Sequence, residues 1–250
     1  MLPMDQLATD AFPRSNRYDP NRIIADQMGL NPLWLTEWLC QDMVLRPGMR
    51  VLDLGCGKAL SSIFLAKEWG AQVWATDLWV DASENYARIQ ADSLADHVFP
   101  IHADARELPF AKEFFDAIVC IDAYIYFGTD DLYLDYLHRF VRPGGQIGIA
   151  VPGFMRDVDG PLPEHLVPFW AQECWTWHTA DWWKRLWSRT GLVDVELVQA
   201  LPDGWKLWLD WKRARLAAGG DSPALRSDIR VLEADGGRYM GFIRMIARRR

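Results

Sequence analysis

The strongest constraint on this chain is a rhythm: between residues 49 and 151, short apolar runs alternate with helical patterns or loops. Residues 49–54 form a short buried strand that ends in Gly55-Cys56-Gly57, and 60–69 reads as a helix. The run 72–77 is a second strand ending in an acid, followed by a helical stretch over 81–94. Strands three to five fall at 97–102, 114–121 and 145–151. Alternation of this kind predicts a parallel sheet with helices on both faces. Two late runs, 193–198 and 239–247, finish the sheet as an antiparallel pair. The fold class is therefore α/β, a doubly wound, mostly parallel seven-stranded sheet.

The flanks divide the chain further. Residues 1–48 read as an N-terminal helical flap, helical over 19–45, with Asn21 as a cap and a break at Asn31-Pro32. Residues 152–250 read as a lid insertion together with the last strands of the same domain. Nine of the 14 tryptophans, Trp170 to Trp211, are packed into this half, which marks a Trp-rich lid insertion. An aromatic cage would attract an amine or quaternary ammonium, and a broad aromatic wall would hold a planar or lipid-like molecule. Against both stands plain core packing, since Trp183, Leu186 and Trp187 share one helical face. The basic stretch around Lys206, Lys212, Arg213 and Arg215 reads as a solvated outer face, with a membrane surface or partner helix as the other reading.

Charge excludes one class of partner. Acids outnumber bases 34 to 27, a net charge of −7, which is wrong for a protein that tracks phosphate backbone. Cys40, Cys56, Cys120 and Cys174 contain no C-x-x-C pair or zinc-ligand spacing, so they read as reduced thiols of a cytoplasmic protein that holds no metal. The N-terminus lacks a basic-then-apolar leader, and the longest apolar run, 117–127, is broken by Asp122 and falls short of the roughly 20 residues a bilayer requires.

Gly55-Cys56-Gly57 sits between strand and helix, where glycine lets the backbone turn sharply and approach a ligand at a helix N-terminus. Alone, such a loop is equally a tight turn. Asp77, at the end of the second strand, stands where doubly wound folds place a carboxylate for ribose hydroxyls. Leu60 occupies the place of the third small residue of the dinucleotide fingerprint, which argues against a pyrophosphate. Asp53 beside the loop repels phosphate but suits a ligand carrying an ammonium and a sulfonium.

Taken in order, Val51-Leu52-Asp53-Leu54-Gly55-Cys56-Gly57, Asp77, Ala103-Asp104-Ala105, Phe115-Asp116-Ala117-Ile118 and the turn Arg142-Pro143-Gly144-Gly145 resemble class I S-adenosylmethionine-dependent methyltransferases. The resemblance covers about 100 residues, 49–151. It departs at Lys58-Ala59, where many relatives carry a small residue and then glycine. By resemblance, Asp53, Gly55, Cys56 and Gly57 hold the methionine end, Asp77 the ribose, and Asp104 with Ala105 the adenine, on which Leu78 packs. Asp122 binds either the cofactor ammonium or an acceptor amine, and Tyr18 belongs to a segment that folds over the cofactor. Asp104 reads alternatively as a helix cap.

The implied reaction is in-line methyl transfer to a small molecule, an amine or an aromatic among the candidates. The protein's task is then to align the acceptor about 3 Å from the methyl and exclude water. A general base is needed only where the nucleophile must lose a proton. His178 and Glu173 in the lid, and Tyr124 and Tyr126 after the fourth strand, are the catalytic candidates. His102, His138 and His165 read as structural. Rival readings are a nucleic-acid or protein methyltransferase, disfavoured by charge and by the absence of a Pro-Pro-aromatic signature after the fourth strand, and a cofactor-binding regulator without turnover. A homodimer is compatible with the sequence.

Overall fold

A computed structural model describes residues 7–250. Seven strands form one sheet in the order β3-β2-β1-β4-β5-β7-β6. They are β1 (Arg50–Leu54), β2 (Gln72–Asp77), β3 (Val98–His102), β4 (Phe115–Ile121), β5 (Val141–Phe154), β6 (Val193–Ala200) and β7 (Met240–Arg249). β1 to β5 pair in parallel, while β7 runs antiparallel to both β5 and β6. The helices are α1 (Pro20–Asp26), α2 (Pro32–Cys40), α3 (Leu60–Trp69), α4 (Ala82–Ala91), α5 (Tyr133–Leu137), α6 (Ala180–Ser188), α7 (Gly204–Ala217) and α8 (Pro223–Asp235). Val51, Leu52 and Leu54 of β1, an interior strand, are buried, as expected for a parallel strand covered on both faces.

β5 is longer than its sequence suggests. It starts at Val141 and passes through Arg142-Pro143-Gly144-Gly145, where the pairing with β4 slips register. Pro143 has no N–H to give, and Gly144 adopts φ +75°, so the expected turn survives as a bulge inside the strand. Beyond it, β7 lies along β5 from Gln146 to Phe154.

The N-terminal segment is not uniformly a flap. α1 is capped by Asp19, whose carboxylate accepts from Asn21 N–H, and not by Asn21 itself. Asn31 caps α2 through Leu33 N–H. Leu33 to Cys40 are all buried, and α2 packs against α3, β4, β5 and β7, so it is core. Glu37 of α2 accepts from Arg14 N–H, Ser15 N–H and the Ser15 hydroxyl at 2.7–3.0 Å, which fastens the preceding short turn to the body.

The tryptophans beyond Val151 mostly build core. Trp183 and Trp187 of α6 and Trp211 of α7 are fully buried, and Trp177 and Trp208 nearly so. Tyr124 is wedged against Trp183 and Trp187 at centroid distances of 5.5 and 5.6 Å. Trp170 and Trp175 remain at the surface, so the buried rings form no open cage. Two of the basic residues of α7 pair with acids of α8: Lys212 with Asp228 and Arg213 with Glu233, both at 2.6 Å. Lys206 is exposed. Among the described residues, no helix is long and apolar enough to cross a membrane.

Candidate functional site

The chain reverses its direction of travel across the sheet between β1 and β4, and a doubly wound fold opens a crevice at such a point. A cavity of about 340 Å³ lies there, at the carboxyl ends of β1, β2 and β4. Its walls include Gly55, Cys56, Gly57, Asp77, Leu78, Asp104, Ala105, Asp122 and Tyr126.

The glycine loop is held from below. Gly55 and Cys56 donate their N–H groups to Thr76 C=O at 2.8 and 3.1 Å. Gly55 sits at φ +74°, and a Cβ there would lie 2.4 Å from the Cβ of Ala123 on the β4 loop, so both conformation and space require glycine. Ala59, the departure noted in the sequence, adopts φ +61° as the residue before α3. The loop keeps its left-handed step there at a cost that glycine would avoid.

Asp77 organises the loops as well as facing the cavity. One carboxylate oxygen accepts from Gly57 N–H at 2.8 Å, and the other from Trp79 and Val80 N–H at 2.7 and 3.0 Å. With three of its roughly four acceptor positions used, Asp77 has room for a single further donor. Asp104 accepts from Arg106 N–H at 2.8 Å in a turn, not at a helix start. Ala105 C=O accepts from the Tyr133 hydroxyl.

Several sequence candidates lie elsewhere. Asp53 is fully buried behind the loop, where one oxygen accepts from the hydroxyls of Ser61 and Ser62 at 2.6 Å. It ties α3 to β1 and does not line the cavity, because β1 is buried on both faces and turns this side chain inward. Burial raises its carboxyl to about 6, partly offset by the two hydroxyls. The protonated form therefore stabilises the fold below about pH 4, and that contribution is lost as pH rises through 6. Asp53→Asn is expected to be more stable than wild type at pH 8 by roughly 2 kcal/mol and indistinguishable at pH 4, read from denaturant unfolding at both pH values.

Tyr18 donates to Glu68 at 2.8 Å and packs edge-on against Phe64. The turn anchored by Glu37 leaves it on the outer side of α3, away from the cavity. His178 stacks on Trp182 with centroids 3.6 Å apart, and burial lowers its pKa. Glu173 is exposed on a short turn, and Tyr124 is buried among the α6 tryptophans. None of these four lines the cavity.

The structure adds residues that the sequence reading missed. The strap 26–32 contributes Asp26, Met28, Gly29, Leu30 and Pro32 to the wall. Gly57 faces Met28, whose sulfur would lie 2.9 Å from a Cβ placed there. Trp79, 66% exposed, meets Tyr126, 44% exposed, edge to face at 5.2 Å. The two rings join the loops after β2 and β4. Both stems are fixed: Trp79 N–H by Asp77, and Tyr126 C=O by the Arg106 guanidinium at 2.9 Å. The only signal for Trp79 was its place two residues beyond Asp77.

Residues 51–145 match the methyltransferase domain family. The chain is 34% identical over 128 residues to the methyltransferase GfsG of Streptomyces halstedii, a stretch covering 50% of this chain and 46% of that one. The chain thus spans about half the length of the relatives it matches in sequence. Its backbone superposes on a putative sarcosine dimethylglycine methyltransferase from Galdieria sulphuraria with a TM-score of 0.72 at 19% identity, covering 86% of this chain and 83% of the other. It superposes on the [4+2]-cyclase SpnF with a TM-score of 0.68 at 18% identity, covering 90% and 83%. Residues 51–145 are thus similar to a methyltransferase domain, and the fold is the Rossmann-like fold seen in class I S-adenosylmethionine-dependent methyltransferases.

Proposed function

We propose that this protein binds S-adenosylmethionine in the crevice above β1, β2 and β4 and transfers its methyl group to a small-molecule acceptor. The observation that carries the reading is the charge and shape of the cavity. Four acids line it, Asp26, Asp77, Asp104 and Asp122, against two cations, Lys58 and Arg106. Lys58 is engaged by Ala25 C=O and Asp26, and Arg106 by Asp104 and Tyr126 C=O. A site with no uncommitted cation suits a ligand carrying a sulfonium and an ammonium better than a phosphate.

In this reading the backbone around Gly55, Cys56 and Gly57 takes the amino-acid end, and Asp77 accepts one ribose hydroxyl at its remaining position. Leu78, Asp104 and Ala105 flank the adenine. Once bound, the cofactor supplies a methyl already activated on sulfur. The chain's own task is alignment and exclusion of water. The strap 26–32 and the Trp79–Tyr126 pair close the cavity on two sides for that purpose. Residues 152–250 would serve as the acceptor-side cover, and a small molecule is the acceptor class that the net charge of −7 favours over nucleic acid.

Trp79→Ala is expected to speed cofactor release about fivefold in stopped-flow fluorescence, in line with the ~1 kcal/mol of an aromatic pair. Tyr126→Phe, which keeps the ring, should leave release unchanged. Incubation with methyl-labelled S-adenosylmethionine and a small-molecule extract, followed by mass spectrometry, tests the activity itself: a labelled metabolite supports it. Tight cofactor binding with no labelled product would favour the second reading, a cofactor-binding protein of other activity. The likeness in fold to a [4+2]-cyclase gives that reading its footing.

A further inference from the structure

The stretch that carries Asp104 and Ala105 into the cavity wall has no helix or strand of its own: residues 103–114 run as loop from β3 to β4. Backbone bonds tie its two ends, Ala103 N–H to Asp77 C=O at 3.0 Å and Glu113 N–H to Arg139 C=O at 2.8 Å. Between them one local turn closes, with Glu107 N–H on Asp104 C=O at 2.9 Å and Arg106 N–H on the Asp104 carboxylate at 2.8 Å. Such a turn holds its own shape but not its orientation to the sheet. That orientation comes from the connection between β4 and β5. The Tyr133 hydroxyl donates to Ala105 C=O at 2.9 Å, the Tyr136 hydroxyl accepts from Leu108 N–H at 2.6 Å, and Tyr126 C=O accepts from the Arg106 guanidinium at 2.9 Å. Tyr133 and Tyr136 stand three residues apart on α5, so their rings share one side of the helix. Tyr133 is buried and packs against Phe127 and Tyr136 at centroid distances of 5.0 and 5.9 Å. Neither tyrosine lines the cavity, yet their two hydroxyls grip the loop that does.

We propose that Tyr133 and Tyr136 are positioning residues for base recognition: acting through residues 104–108, they aim the Asp104 carboxylate at the amino group of the adenine. This inference rests on the cofactor reading given above. The peptide group between Ala105 and Arg106 is a rigid plane, and it is held at both ends. Its C=O is fixed by the Tyr133 hydroxyl and its N–H by the Asp104 carboxylate. Without the hydroxyl the plane is free to tilt, and the carboxylate bonded to its N–H tilts with it. Both Arg106 contacts of Asp104 fall on Oδ1, which leaves Oδ2 to accept from a ligand N–H. Tyr136 acts one turn further on, where it fixes the exit of the loop at Leu108. Burial raises both phenols, so both hydroxyls stay protonated at neutral pH and Tyr133 keeps the proton that it donates.

The test compares two ligands by calorimetry: S-adenosylhomocysteine, and the same compound with unsubstituted purine in place of adenine, which lacks the amino group. Wild-type protein is expected to bind the adenine compound at least tenfold more tightly, since a carboxylate held for an N–H donor loses that partner in the purine compound. Tyr133→Phe keeps the ring and its packing and removes only the hydroxyl. It should weaken the adenine compound about fivefold and leave the purine compound within about twofold, so that the preference shrinks. Tyr136→Phe, at a ring only half-buried, should shift the preference in the same direction, and the double variant should leave little of it. Equal weakening of both ligands would make the tyrosines general supports of the fold and overturn the proposal. So would a preference unchanged in the double variant, or the absence of any preference in wild type. If wild-type protein binds neither compound, the cofactor reading itself fails and the proposal with it, an outcome distinct from the others.

Discussion

Asp77→Ala is expected to weaken S-adenosylmethionine binding at least tenfold, about 1.4 kcal/mol, when titrated calorimetrically. Two losses combine. The ligand loses a hydroxyl partner, and the protein loses the acceptor that holds Gly57, Trp79 and Val80 N–H in place. Asp77→Asn separates them in part, because its amide oxygen can still accept while its NH₂ faces either Gly57 N–H or the Trp79–Val80 turn as a second donor. The asparagine variant should fall between wild type and alanine. Affinity unchanged in the alanine variant would remove Asp77 from the binding account.

The second large effect is on stability. Trp187→Ala should lower stability by about 3–5 kcal/mol, since a fully buried indole leaves a void that its neighbours fill only in part. For a chain of this size that is a fall of roughly 10 °C in the melting temperature, measured by calorimetry or circular dichroism. The ring also forms one wall around Tyr124, two residues beyond Asp122. Loosening it should therefore weaken cofactor binding too, although Trp187 does not touch the cavity. Trp187→Phe, which retains an apolar ring, should recover most of the stability. A variant as stable as wild type would contradict the core assignment of α6.

The sheet was legible in the sequence because its strands are local. Each of β1 to β4 is a run of apolar residues bounded by glycine, proline or an acid, and period and punctuation are enough to place such runs. The glycine loop and Asp77 were legible for the same reason: both occupy fixed positions relative to strand ends. Side-chain direction was harder. β1 is apolar on both faces, so no alternation in sequence reveals that Asp53 turns inward to Ser61 and Ser62.

Contacts between distant segments left no local mark at all. Gly29 looks like any loop glycine, and only its meeting with Asp122, 93 positions later, explains it. Tyr18 and His178 were candidates because chemistry-bearing side chains stood in segments expected to close over the site. Their neighbours, Glu68 and Trp182, claim them instead. In α6 the helical spacing of Trp183, Leu186 and Trp187 did carry the correct inward face, since periodicity is again a local signal.

A crystal grown with S-adenosylhomocysteine gives the most direct test of the central claim. The account predicts a nucleoside across the ends of β1 and β2, its ribose on Asp77 and its adenine beside Leu78 and Asp104, with the amino-acid end at Gly55 to Gly57. A crevice left empty at saturating ligand, or one that instead takes up a phosphate-bearing nucleotide, would contradict it.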